Sequence, residues 1–330
     1  MPTYTGISSQ AIRHPLDLQA EKALRSVPGF DMVARKFVEY LSERPQFVFQ
    51  MGNSIQVGPR QYSNVYQIFR ACVRDLDIHP EPVLFVSQSP WVNASALGQE
   101  LPSIVINTGL MDLFSEAELS AVLAHELGHI KCGHTTLNQM AEWAVDIASG
   151  LAARTFGLSA LVTTGLLMAF YEWKRKAELS ADRAALLVVD ELNPVLHCMM
   201  KMAGGSANYA HELSLDEFLR QSDRYQELDK DGLNQIYKFL LYNNFPQGIF
   251  LSHPFTIERA CYLREWSTSE EYHQIRSGNY PRAGAEGSVD VNVEDPAAGT
   301  TPKPPQADVD NLRQQIEELQ QQIDRIKRQN

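Results

Sequence analysis

Apolar residues recur at three- and four-residue spacing through Asp17–Leu24, Met32–Leu41 and Asn64–Leu76, which predicts helices over residues 15–80 with breaks at Pro28-Gly29 and Gly52-Asn53. The pattern then changes. Two short apolar runs, Pro82-Val83-Leu84-Phe85-Val86 and Ser103-Ile104-Val105-Ile106, read as buried strands, and the turn formers of SQSPWVNASALGQELP between them read as a loop. A helix starts next: Ser115 and Glu118 have the S-x-x-E spacing of a capping box, and Leu119, Val122, Leu123, Leu127 and Ile130 give it an apolar face. Helical spacing continues from about Thr136 to Asp190, then over Asp216–Leu241 and Ile257–Trp266. Few strands among many helices predict an α+β, predominantly helical fold with a small β-sheet.

The pattern fails at the C-terminus. Residues 281–307 (PRAGAEGSVDVNVEDPAAGTTPKPPQA) carry almost no large apolar side chains. Such a composition buries too little surface to offset the entropy of ordering, so it predicts a disordered linker. Beyond it, Val309, Leu312, Ile316, Leu319, Ile323 and Ile326 alternate three- and four-residue steps. They predict a coiled-coil helix over 308–330. Its β-branched a and mainly leucine d positions favour a parallel homodimer through residues 309–326.

A formal net charge of −11 argues against nucleic acid or an anionic lipid surface as the main partner. Cys72, Cys132, Cys198 and Cys261 lie far apart with no CxxC pair and read as buried free thiols. The first residues lack a basic cluster followed by an apolar stretch, so no secretory signal is predicted, and a reducing, cytoplasmic location is the default. The uncharged run Thr155–Tyr171 is shorter than the roughly 20 residues of a bilayer span and reads as a buried core helix. Membrane association through residues 147–171 is the alternative.

Candidate chemistry centres on His125-Glu126-Leu127-Gly128-His129. Positions i and i+4 share a helix face, so both imidazoles can meet one ion, and Glu126 beside the first can reach a water on it. Zinc needs such a set, a few nitrogen and oxygen donors plus one open position. Gly128 costs a helix interior about 1 kcal/mol relative to alanine, which implies close approach of another backbone. The third ligand has two candidates. A metzincin pattern requires glycine three and histidine six residues after His129, but Cys132 and Thr135 stand there, so His134 reads as a helix-end residue or a hydrogen-bond partner of a ligand. Glu178-Leu179-Ser180-Ala181-Asp182 fits better: Glu178 can bind the ion while Asp182, on the same face, accepts a hydrogen bond from a ligand histidine.

These residues carry a resemblance. NASALG with IVINTGLMDLFSEAELSAVLAHELGHIKCGH, then AELSADRAAL, then LSHPFTIERACYL, resemble the HtpX-like metallopeptidases, a family that includes the CAAX prenyl protease and the Oma-type mitochondrial protease. The likeness spans roughly residues 80–266, and residues 14–80 resemble the N-terminal part of soluble bacterial members. Integral members carry transmembrane helices, for which this sequence offers only the 155–171 run. The resemblance implies a zincin-like metalloprotease domain of the gluzincin type, and it puts His253 and Arg259 near the metal. His253 then either donates a hydrogen bond to the oxyanion of the transition state or ligates the resting zinc, and Arg259 orients His253 or holds substrate.

The expected organisation is an N-terminal helical region over 1–80 packed on a zinc metalloprotease domain over 81–280, followed by the linker and the coiled coil. The expected function is a zinc endopeptidase with one Zn2+ per chain on His125, His129 and Glu178, and with Glu126 as general base. Its substrates are expected to be unfolded or damaged polypeptides, in protein quality control, lying extended along an edge strand supplied by residues 83–86 or 103–106. The alternative is a chaperone-like or scaffolding protein that keeps the zinc fold. The intact Glu126 argues against it, because a scaffold needs no base. An aminopeptidase or deformylase is disfavoured by the ELSAD and HP motifs.

Overall fold

Residues 3–31, 33–34, 37, 43–148, 160–243 and 254–284 are described by the computed structural model. His253, the linker beyond residue 284 and the coiled coil with its dimer seam at 309–326 lie outside the described residues.

The fold is mostly helical around a four-stranded sheet: β1 (Ile55–Gln56), β2 (Val83–Ser87), β3 (Ala94–Leu97) and β4 (Ser103–Asn107), in the order β1-β2-β4-β3. β2 and β4 run parallel, with Phe85 opposite Val105, and the two flanking strands pair antiparallel. The central strands read as unbroken apolar runs because both faces are covered. Leu84, Val86, Ile104 and Ile106 enter the main core, and Phe85 meets Phe47 edge-on at 6.0 Å on the other side.

β3 falls in the segment expected to be a loop. Ala-Ser-Ala-Leu lacks the β-branched and aromatic residues that mark strands, and pairing with β4 makes it one. Its end is fixed by a tight turn. Gly98 has φ +75°, and a Cβ there would stand 2.5 Å from the Leu101 carbonyl oxygen. The Glu43 carboxylate accepts hydrogen bonds from the backbone N–H groups of Gln99, Glu100 and Leu101, at 2.6, 3.0 and 3.0 Å.

The capping box forms: Ser115 Oγ accepts from the Glu118 N–H, and Glu118 Oε2 accepts from the Ser115 N–H at 2.7 Å. The helix it starts, Glu116–Lys131, is buried on most of its surface and lies against the long helix Ala160–Val189. Gly128 sits at that contact. A Cβ on it would lie 2.7 Å from Ala184 Cβ and 3.0 Å from Ala181 Cα, so the interior glycine is there because two helix backbones approach this closely.

One apolar cluster runs through the fold, from Tyr4, Ile7 and Ile12 before the first helix (Pro15–Arg25) to Phe69, Leu123, Leu187 and Trp266. A second joins Leu24, Phe30, Leu137, Leu166, Phe170 and Trp173. The described end of the 155–171 run therefore packs inside the protein, and no helix among the described residues is long and apolar enough to cross a membrane. The four cysteines are free and buried.

Candidate metal centre

His125 and His129 stand one turn apart on the 116–131 helix, with their Nε2 atoms 3.3 Å from each other. Glu178 faces them from the 160–189 helix: its Oε2 is 3.3 Å from His125 Nε2, and its Oε1 is 3.4 Å from His129 Nε2. One donor atom from each residue lies within 4.8 Å of the others, a set that can hold a metal ion. Two helices thus supply two nitrogens and one carboxylate to one point, and the Gly128 contact holds those helices together beside it.

The supports of the two imidazoles differ. His125 Nδ1 lies 3.0 Å from Asp182 Oδ1. Burial disfavours charge on this ring, but Asp182 and Glu178 outweigh it and hold its pKa up to about 10. The same negative field favours a metal cation. His129 Nδ1 lies instead 3.0 Å from Nδ1 of His134, the first residue of the helix His134–Ala148. His134 is buried, and burial is the largest influence holding its pKa below the ordinary imidazole value.

Arg259, on the helix Thr256–Ser267, is buried. It donates from Nε to Asp182 Oδ2 at 2.9 Å and from Nη2 to Asp182 Oδ1 at 2.6 Å, while Nη1 is 3.1 Å from Glu178 Oε2. Burial raises the Asp182 pKa, but Arg259 and His125 bring it below the usual carboxylate range. Arg259 therefore holds the two carboxylates beside the histidines, a partnership the sequence did not suggest.

A cleft opens over the site. Glu126 lines it beside His125 and Glu178, and Asn93 and Ala94 line it at the start of β3. β2 and β4 are interior strands, so the edge expected from 83–86 or 103–106 is instead β3. Away from the donors the wall turns apolar, with Leu110, Val122, Val195, Met199 and Met202.

Sequence reasoning missed Asp17. It is fully buried, with its Oδ2 3.1 Å from His134 Nε2, and it is paired with Arg13. A trace existed in the sequence: Asp17, Glu21 and Leu24 share the buried stripe of the first helix, where unpaired carboxylates are costly.

A sequence model of peptidase family M48 matches residues 59–267. The chain is 33% identical over 280 residues to the plastoglobule-localized metallopeptidase 48, chloroplastic, of Arabidopsis thaliana, covering 82% of this chain and 76% of that protein. It is 24% identical over 250 residues to a protease HtpX homolog of Moorella thermoacetica, covering 68% and 78%. To the metalloprotease YcaL of Escherichia coli it is 25% identical over 192 residues, covering 57% and 64%. No solved structure matches. The chain belongs to peptidase family M48 and is a metallopeptidase.

Proposed function

We propose that this M48 peptidase is a zinc endopeptidase in which His125, His129 and Glu178 hold one Zn2+ and Glu126 is the general base. The observation that carries the reading is the convergence of those three donors within 4.8 Å beside a carboxylate that lines the same cleft. Two imidazoles and one carboxylate make a donor set that suits zinc and leaves a position open. Zinc bound there supplies a Lewis acid that polarises a carbonyl and makes water a nucleophile at neutral pH.

The chain's own residues do the rest. The Glu126 carboxylate accepts the proton from the attacking water and delivers it to the leaving amine. Asp182 accepts from His125 Nδ1–H and so keeps the Nε2 lone pair aimed at the ion. The outer edge of β3, the last strand in the sheet order, receives an extended peptide through main-chain hydrogen bonds, a mode that suits unfolded or damaged segments and a role in protein quality control. The apolar wall of Leu110, Val122, Val195, Met199 and Met202 favours an apolar side chain next to the cleaved bond. A buried carboxylate in the cleft counts against a purely scaffolding role.

Metal analysis together with casein cleavage tests the reading. Wild type is expected to hold one zinc per chain and to cleave, and Glu126→Gln to keep the zinc and lose about 10²–10⁴-fold in rate. Undiminished cleavage by Glu126→Gln would remove Glu126 as the base.

A further inference from the structure

His129 is tied to the N-terminal helix by an unbroken buried path. From His129 Nδ1 it passes at 3.0 Å to His134 Nδ1, and from His134 Nε2 at 3.1 Å to Asp17 Oδ2. Asp17 is anchored in turn. Arg13 donates to it twice, from Nε and Nη2, each at 2.9 Å, and the Ser180 hydroxyl donates to its Oδ2 at 2.7 Å. Ser180 also accepts from the His14 N–H at 2.9 Å, and it sits two residues from Glu178. Each of these side chains is buried, and His134 also lies edge-on to Trp173 at 5.7 Å.

The direction of each hydrogen bond follows from what each group can do. A carboxylate only accepts, so His134 carries its proton on Nε2 towards Asp17. A neutral His134 then presents a bare Nδ1, which can only accept. His129 must supply the proton from its own Nδ1, and its Nε2 is left as a lone pair facing Glu178 and His125. The reverse arrangement, with both His134 nitrogens protonated, would force the His129 proton onto Nε2 and close it to a metal.

We propose that Asp17 and His134 are positioning residues that set the tautomer and aim of His129. The N-terminal segment, outside the stretch 59–267 that matches the family, is then a working part of the metal centre. This rests on His129 being a metal ligand. The two imidazoles are thereby steered from opposite sides, His125 by Asp182 within the matched stretch and His129 by Asp17 from outside it.

The test is Zn2+ affinity, measured by competition with a chromophoric chelator, together with thermal melting of the full chain. His134→Leu keeps the bulk and removes the acceptor, and Asp17→Asn removes the anion. Each is expected to weaken Zn2+ binding about 10–100-fold. His134→Gln, whose side-chain oxygen can accept from His129, is expected to recover part of that loss. Glu21→Gln breaks the other carboxylate contact of Arg13 without touching His134. It is expected to lower the melting temperature and leave Zn2+ affinity unchanged. Wild-type affinity in both His134→Leu and Asp17→Asn would overturn the relay. Retention of Zn2+ by His129→Ala would instead overturn the ligand assignment beneath it. Should the variants not fold, nitrogen-15 histidine spectra of the wild-type zinc protein decide. Nδ1–H on His129 with Nε2–H on His134 supports the relay, and a proton on His134 Nδ1 overturns it.

Discussion

Arg259 grips Asp182 with two parallel hydrogen bonds, Nε to Oδ2 at 2.9 Å and Nη2 to Oδ1 at 2.6 Å, deep beside the cluster of His125, His129 and Glu178. This forked geometry is one that lysine cannot reproduce. Its third nitrogen reaches Glu178 at 3.1 Å, so one guanidinium balances two carboxylates that face the histidines.

Replacing Arg259 with methionine is expected to destabilise the protein by about 3–5 kcal/mol, because two buried carboxylates lose their counter-charge. A bound cation restores part of that charge. The melting temperature of Arg259→Met is therefore expected to rise more on addition of Zn2+ than that of wild type. Equal rises in the two proteins would show that Arg259 does not balance the charge of Glu178 and Asp182 towards a bound cation.

His14 gives a pH dependence whose sign can be worked out. Its Nδ1 caps the first helix by accepting from the Leu16 N–H at 3.1 Å, which requires the neutral ring. Burial first, and then the nearby Arg183, lower its pKa to about 4, against an opposing pull from Asp17. The unfolded chain takes up this proton near pH 6.5. Between about 6.5 and 4 the unfolded state thus binds more protons than the folded one, and stability falls as pH falls through that window. In urea unfolding, His14→Asn, which keeps a capping acceptor and does not titrate, is expected to flatten that part of the profile. An unchanged slope would remove His14 as its source.

The C-terminal cut matters to the residue. Ala283 donates its N–H to the Gly6 carbonyl at 2.8 Å, Ile7 pairs with Arg282, and the Tyr280 ring meets Tyr4 edge-on at 5.8 Å. Removing residues 285–330 is expected to leave melting unchanged while reducing self-association in sedimentation. Removing residues 278–330 is expected to lower the melting temperature as well, because it takes away the partners of Tyr4, Gly6 and Ile7. Identical sedimentation of the full chain and the 285–330 deletion across a concentration series would exclude the coiled-coil dimer.

Local signals in the sequence gave the parts of this structure that rest on local physics. The S-x-x-E box starts its helix because its bonds span three residues, and the i, i+4 histidines share a face by helix geometry alone, with Glu126 adjoining the first. Gly128 announced a close backbone approach, though not that Ala181 and Ala184 make it. What stayed hidden depends on distant partners. β3 is a strand only through its pairing with β4, and β2 and β4 lose their edges to neighbours whose own sequences say little. Asp17 meets His134 across 117 residues of chain, a distance at which no spacing rule operates. The carboxylate partners of Arg259 lie 77 and more residues upstream, beyond the reach of any local pattern.

The turn that Glu43 holds at Gln99–Leu101 has a consequence for turnover. Three amides that would otherwise be free to reorient are locked by one carboxylate at the far end of β3. On the proposed binding mode, β3 meets a peptide with its turn already held, so less of the ordering cost falls on each encounter. A floppy edge would have to be ordered again at every catalytic cycle. Here the turn is ordered once, when the protein folds, by a residue 56 to 58 positions away in the chain.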